Sequence, residues 1–161
     1  MDLVVGDLMT SPVISAHEDM TVKELIGLLQ DNQISGVPVV NASGNLVGVV
    51  SITDLISLGA GIETVPEISE SDFHTSPAMD GLSRASGLFE PEEELLDRPV
   101  GGLMSPNVIT ATEQTPVGEI ADTMVTHRIH RIIIVREDVA VGIVSITDIL
   151  RTLRDRFLAR R

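Results

Sequence analysis

Val47-Gly48-Val49-Val50-Ser51-Ile52-Thr53-Asp54 returns as Val141-Gly142-Ile143-Val144-Ser145-Ile146-Thr147-Asp148, with seven of the eight residues identical. An apolar β-rich run that ends in Ser-Ile-Thr-Asp reads as a strand handed straight to the start of a helix. Upstream, Val5-Gly6-Asp7-Leu8-Met9 matches Val100-Gly101-Gly102-Leu103-Met104, and Val5–Val40 laid on Val100–Val135 gives 12 identities in 36 positions. Chance at average composition gives about two. The offset is 95 upstream and 94 across the tetrads, so one residue is missing from the second copy between them. Self-similarity of this kind marks a duplicated structural unit. Each copy has roughly 55 residues, too few to bury much surface alone. The two are therefore expected to pack together.

Within each copy the periodicities are readable. Val22, Leu25, Ile26 and Leu29 recur at i, i+3, i+4 and i+7, the spacing of an amphipathic helix. Thr21 and Glu24 suit a capping box ahead of it. Val117, Ile120, Ala121 and Met124 occupy the same places in the second copy, where Thr115 is expected as N-cap with Pro116 at the first helical position. Short strands are expected before these helices, at Val13-Ile14-Ser15 and Val108-Ile109-Thr110. Further strands are expected after them, at Val37–Val40 and Ile132–Val135. Asn41–Asn45 reads as a hairpin turn, and Leu46–Ser51 and Val139–Ser145 as the strands that follow. Thr53 and Thr147 mark the start of a second helix, which Ile146, Ile149, Leu150, Leu153 and Phe157 extend towards the C-terminus in the second copy. The order is β-α-β-β-α, twice.

The domain reading is 1–58 for the first copy, 59–99 for an insertion and 100–161 for the second copy. The insertion carries ten acids against Arg84 and Arg98, a net −8 out of −13 for the chain. Such a long connection is usually functional or mobile, and short helices are expected near Ala78–Leu88 and Pro91–Asp97. Across all 161 residues there are three Phe, no Trp, no Tyr and no Cys. Absence of cysteine excludes disulfides, thiol catalysis and Cys-ligated zinc. The acidic balance and the lack of stacking platforms argue against nucleic-acid partners. No apolar run reaches the ~18 residues of a membrane span, and Met1-Asp2-Leu3-Val4-Val5 has no basic segment of the signal-peptide kind. A cytoplasmic location is the expectation.

Taken in order, Leu8-Met9-Thr10, Gly36-Val37-Pro38-Val39-Val40 and Gly48–Asp54, then Leu103-Met104-Ser105, His130-Arg131-Ile132-Ile133-Ile134-Val135 and Gly142–Asp148, resemble the CBS domain family. Two tandem copies look like a Bateman module. The resemblance covers Val5–Leu58 and Val100–Leu153. It implies an α/β (α+β) fold of two β-α-β-β-α repeats packed sheet to sheet about a pseudo-twofold axis, helices outside. It also implies a regulatory module rather than an enzyme, a homodimer, and an adenosyl ligand.

The chemistry concentrates at the tetrads. A strand-to-helix junction presents free N–H groups and the positive dipole end, hydroxyls can donate to phosphate, and a carboxylate can accept from two ribose hydroxyls. The ordinary reading of Ser, Thr and Asp at such a place is helix capping. The resemblance adds that Asp54 and Asp148 hold ribose, that Ser51, Thr53, Ser145 and Thr147 approach phosphate, and that a basic pair reaches phosphate in a site whose ribose acid comes from the other copy. That pairs Asp54 with His130-Arg131, and Asp148 with Gly36-Val37-Pro38. Arg131 suits phosphate through its planar fork, or it is a surface cation facing an acid. Val37 and Ile132 are expected beside adenine, or else in ordinary core. The first grouping is expected to take AMP, ADP or ATP, with Mg²⁺ possible beside ATP. The second is expected to be empty or to take a less charged ligand such as S-adenosylmethionine. Metal chemistry is weak: His127-Arg128-Ile129-His130 has HxxH spacing without further ligands. No P-loop, GxSxG or GxGxxG occurs. The arginines of the tail, Arg151, Arg154, Arg156, Arg160 and Arg161, either dock the acidic insertion of a second copy or form a solvated helix end. A ligand-free scaffold and, more remotely, a nucleotide hydrolase are the other classes.

Overall fold

The computed structural model describes residues 2–59 and 92–160; the helix expected near Ala78–Leu88 lies outside them. The chain divides into two compact units. One is continuous, Ile14–Val108, and the other joins Met1–Val13 to Ile109–Arg161.

The continuous unit contains β1 (Ala16–His17), α1 (Val22–Asp31), β2 (Gly36–Val40), β3 (Leu46–Ser51), α2 (Ile52–Gly59) and a short α3 (Glu93–Leu96). Its sheet has the order β1-β2-β3, with β1 parallel and β3 antiparallel to β2. The first strand is two residues long and lies at Ala16–His17, not at Val13–Ser15, because only Ala16 and His17 find partners, Val39 and Val40. Thr21 caps α1 as expected: its hydroxyl accepts from Glu24 N at 3.2 Å, and Glu24 Oε2 accepts from Thr21 N at 3.0 Å. The core is aliphatic, with Val22, Leu25, Leu29, Val37, Val39, Val50 and Leu55 buried together. The end of the acidic insertion joins that core through Leu95, and Arg98 O accepts from Val22 N at 2.9 Å.

The other unit repeats the plan with β4 (Thr110–Ala111), α4 (Val117–His127), β5 (Arg131–Arg136), β6 (Val139–Ser145) and α5 (Ile146–Leu158). Its sheet order is β4-β5-β6 with the same parallel and antiparallel pairings. Val5, Ile120, Met124, Ile129, Ile132, Ile134 and Val144 form its core. Here α4 departs from expectation. Pro116 is the N-cap, with an extended ψ of 140°, and the helix begins at Val117. Thr115 instead closes a turn, its hydroxyl accepting from Thr112 N at 3.1 Å.

The missing residue of the second copy is a hairpin difference. Between β2 and β3, Asn41 Oδ1 accepts from Ser43 N and Asn45 N, both at 3.0 Å, and Gly44 sits at φ +82°. Between β5 and β6 only Glu137 and Asp138 intervene, at φ +48° and +66°, as a two-residue turn with both central residues left-handed requires. Beside that turn Arg136 grips Glu113 with two parallel bonds of 2.8 and 2.6 Å. The guanidinium holds the Glu113 carboxyl below its usual range.

The compact units cut across the repeats. The segment that leads the first copy packs on the second: Val5 N and Gly6 N donate to Thr115 O and Glu113 O at 2.9 Å, and Thr10 pairs with Ile143 through bonds of 2.8 and 3.1 Å. The segment that leads the second copy packs on the first with the same pattern. Val100 N and Gly101 N donate to Met20 O and Glu18 O at 2.8 Å, and Ser105 pairs with Val49 at 2.8 and 2.9 Å. Each leader places a methionine sulfur over a glycine of the third strand, Met9 over Gly142 and Met104 over Gly48.

Candidate functional site

Each tetrad begins on the last residue of a strand. Ser51 ends β3 and Ser145 ends β6, so the Ser is the residue before the helix and the Thr lies inside its first turn. Ser145 is the N-cap of α5, with its side chain accepting from Asp148 N at 3.3 Å. Asp148 Oδ2 returns the bond, accepting from Ser145 N and Ser145 Oγ at 2.9 Å each. In the other unit Asp54 Oδ2 accepts from Ser51 N at 2.8 Å and from Ser51 Oγ at 3.2 Å. The acids thus take part in the capping alongside the serines. The S-x-x-D spacing is itself the capping signature, and one oxygen of each acid is engaged in it. The acids sit near the helix N-terminus, where the dipole favours their charge.

Ser51 is fully buried, while Asp54, Ser145 and Asp148 are half-buried. Thr53 is half-buried and Thr147 exposed. The start of the second strand meets these junctions in each unit. Gly36 stands opposite Ser51, and Ser35 O accepts from Ile52 N at 2.8 Å. Arg131 stands opposite Ser145, and His130 O accepts from Ile146 N at 2.9 Å. The fold thus gathers Gly36, Ser51 and Asp54 at one strand end, and His130, Arg131, Ser145 and Asp148 at another. The residues expected to complete them, His130-Arg131 for Asp54 and Gly36-Val37-Pro38 for Asp148, belong to the other unit in each case.

Arg131 is half-buried, and desolvation pushes its guanidinium below the ordinary arginine pKa. An arginine guanidinium stays charged in proteins, and a partly desolvated cation gains more from a phosphate than a solvated one does. Val37, Pro38 and Ile132 are buried, and Val37 and Ile132 contribute to the two aliphatic cores. The side chains of Val37 and Ile132 belong to the packing.

One residue here escapes the sequence reading. Arg151, taken with the arginines of the tail, sets Nη1 at 3.2 Å from Asp148 Oδ1. Its i, i+3 spacing from Asp148 on a helix is the signal that could have found it. Among the described residues no group of three or more His, Asp or Glu could hold a metal ion, and no helix is long and apolar enough to cross a membrane.

The sequence matches the CBS domain family over residues 5–61 and 100–155. The chain belongs to the CBS domain family. The two matched stretches are the two copies, and the insertion falls between them. Three relatives give the comparison scale for this CBS pair. The uncharacterized protein MJ1426 of Methanocaldococcus jannaschii is 28% identical over 155 residues, which cover 94% of this chain and 91% of the other. The chloroplastic CBS domain-containing protein CBSX2 of Arabidopsis thaliana is 26% identical over 91% of this chain and 62% of its own length. The chain thus spans only about three-fifths of that relative. The crystal structure of CBSX2 in complex with AMP superposes with a TM-score of 0.65, covering 98% of both chains at 23% identity. The CBS domain pair of protein MJ0100, in complex with 5-methylthioadenosine and S-adenosyl-L-methionine, superposes with a TM-score of 0.63 at 23% identity. It covers 97% of this chain and 99% of its own.

Proposed function

We propose that this CBS pair is a regulatory module that binds an adenine nucleotide, with AMP, ADP and ATP as the candidate ligands and Mg²⁺ accompanying a triphosphate. The carrying observation is the repeated junction at which a half-buried acid, Asp54 or Asp148, caps a helix with one oxygen beside the start of a strand. A carboxylate so held is oriented before a ligand arrives, and pre-orientation lowers the cost of binding. Ribose hydroxyls are the donors that suit it. Ser51, Thr53, Ser145, Thr147, His130 and Arg131 supply the donors that suit phosphate. Gly36, Val37, Pro38 and Ile132 meet the ligand through backbone groups. The adenosyl ligands of CBSX2 and MJ0100, proteins of the same fold, support this reading.

Regulation follows from differential binding. A ligand moves the equilibrium between arrangements only if it prefers one of them. The output is control of a partner protein in the cytoplasm, and the module is a homodimer whose second copy covers the exposed apolar face of α5.

Calorimetric titration with AMP tests the assignment. Arg131→Ala is expected to weaken binding about tenfold to a hundredfold, the loss of one charge-assisted bond, while adenosine affinity changes little. Equal AMP affinity in the variant and the parent overturns the role of Arg131. A melting temperature that no adenosyl ligand raises at millimolar concentration favours the ligand-free scaffold instead.

A further inference from the structure

The two tetrads are identical in sequence, but the residue three places after the acid is not. It is Arg151 after Asp148 and Ser57 after Asp54. Arg151 Nη1 lies 3.2 Å from Asp148 Oδ1, while Asp148 Oδ2 caps α5 through Ser145. Asp148 therefore has both oxygens in use within its own helix. Its side chain is only 12% exposed, whereas that of Arg151 is 58% exposed. The arginine is the solvated partner, and the acid is the one held by Ser145. A ribose that donates to Oδ1 must displace the guanidinium or share the oxygen with it.

We propose that Arg151 is a specificity-determining residue, a built-in competitor that weakens ribose binding through Asp148. The proposal rests on the reading of Asp54 and Asp148 as ribose acceptors. The pair is an exposed i, i+3 contact, and such pairs contribute at most about 1 kcal/mol. Its removal is therefore worth about two- to fivefold in affinity. The same pair also makes ribose binding at Asp148 sensitive to salt, since screening weakens the internal contact.

Adenosine, which carries no phosphate, isolates the effect. In an Asp54→Asn background the remaining carboxylate acceptor for ribose is Asp148, and adding Arg151→Gln is expected to tighten adenosine two- to fivefold in calorimetry. Raising the salt from 0.05 to 0.5 M, by about tenfold, is expected to tighten adenosine in Asp54→Asn but not in Asp54→Asn/Arg151→Gln. Equal or weaker adenosine binding after Arg151→Gln overturns the proposal. The Ser145 capping bonds do not involve Arg151, so a melting curve checks that α5 is intact. The underlying reading fails separately: if Asp54→Asn/Asp148→Asn binds adenosine as well as the parent, neither acid holds ribose. If Arg151→Gln weakens AMP while leaving adenosine unchanged, Arg151 serves phosphate and the competitor role is excluded.

Discussion

Gly48 shows how much of this fold is decided at single residues. A Cβ added there would lie 2.7 Å from both Ser105 O and the Met104 sulfur. The thioether could turn aside, but the carbonyl belongs to a leader held by bonds of 2.8 and 2.9 Å to Val49. Gly48→Ala is therefore expected to destabilise by roughly 1–3 kcal/mol, the usual range for overpacking. Gly27, inside α1, has nothing within 4 Å of an added Cβ. Gly27→Ala should stabilise by about 0.5–1 kcal/mol, because the helix interior loses its most flexible residue. Urea unfolding of both variants checks the pair, and a cost for Gly48→Ala no larger than the change at Gly27 would contradict the close leader packing. The repeat shows that Gly48 and Gly142 correspond. It does not show what approaches them, because Met104 and Met9 are distant in sequence from both.

At the scale of elements, α5 is the outlier. None of its residues is fully buried, yet Ile146, Leu150, Leu153 and Phe157 are all exposed, Phe157 at 68%. Their spacing of four, three and four places them on one stripe. Ile149, by contrast, packs against the core of its unit. An exposed apolar stripe of this kind marks an interaction face, and the proposed second copy is its occupant. Leu153→Glu/Phe157→Glu is expected to shift the protein to a monomer in light scattering while keeping its far-UV helix signal. A parent protein that is already monomeric at tens of micromolar would sink the homodimer. The helix itself was legible in the sequence from its period and from S-x-x-D at its start. Its exposure was not, because amphipathic spacing defines an apolar stripe without saying what covers it.

The whole molecule is organised by the exchange of leaders between repeats. Val5 is fully buried in the core that holds Ile120 and Ile132, and Val100 in the core that holds Val22 and Leu25. Truncating either valine to alanine should cost about 2 kcal/mol, two buried methyl groups and part of a cavity. The cost should appear in the unit that does not contain the rest of that repeat. Hydrogen exchange on Val5→Ala is expected to lose protection in β4–β6 and α4, and on Val100→Ala in β1–β3 and α1. Protection lost in the opposite pattern would mean that each leader stays with its own repeat.

Local order was within reach of the residues alone. The α1 helix, its Thr21–Glu24 capping box, the hairpin at Asn41–Asn45 and the strand that ends in each tetrad all depend on residues within about seven positions of one another, where periodicity and capping chemistry act. The leader exchange needed the tertiary structure for a specific reason. Leu8-Met9 and Leu103-Met104 are identical pairs, and so are the glycines that receive them, so both pairings are chemically equivalent in one dimension. The same holds for the tetrads, which read alike until the helix turns once and brings Arg151 back over Asp148. Duplication makes the parts legible and their partners ambiguous, and only packing in three dimensions chooses between the equivalent solutions.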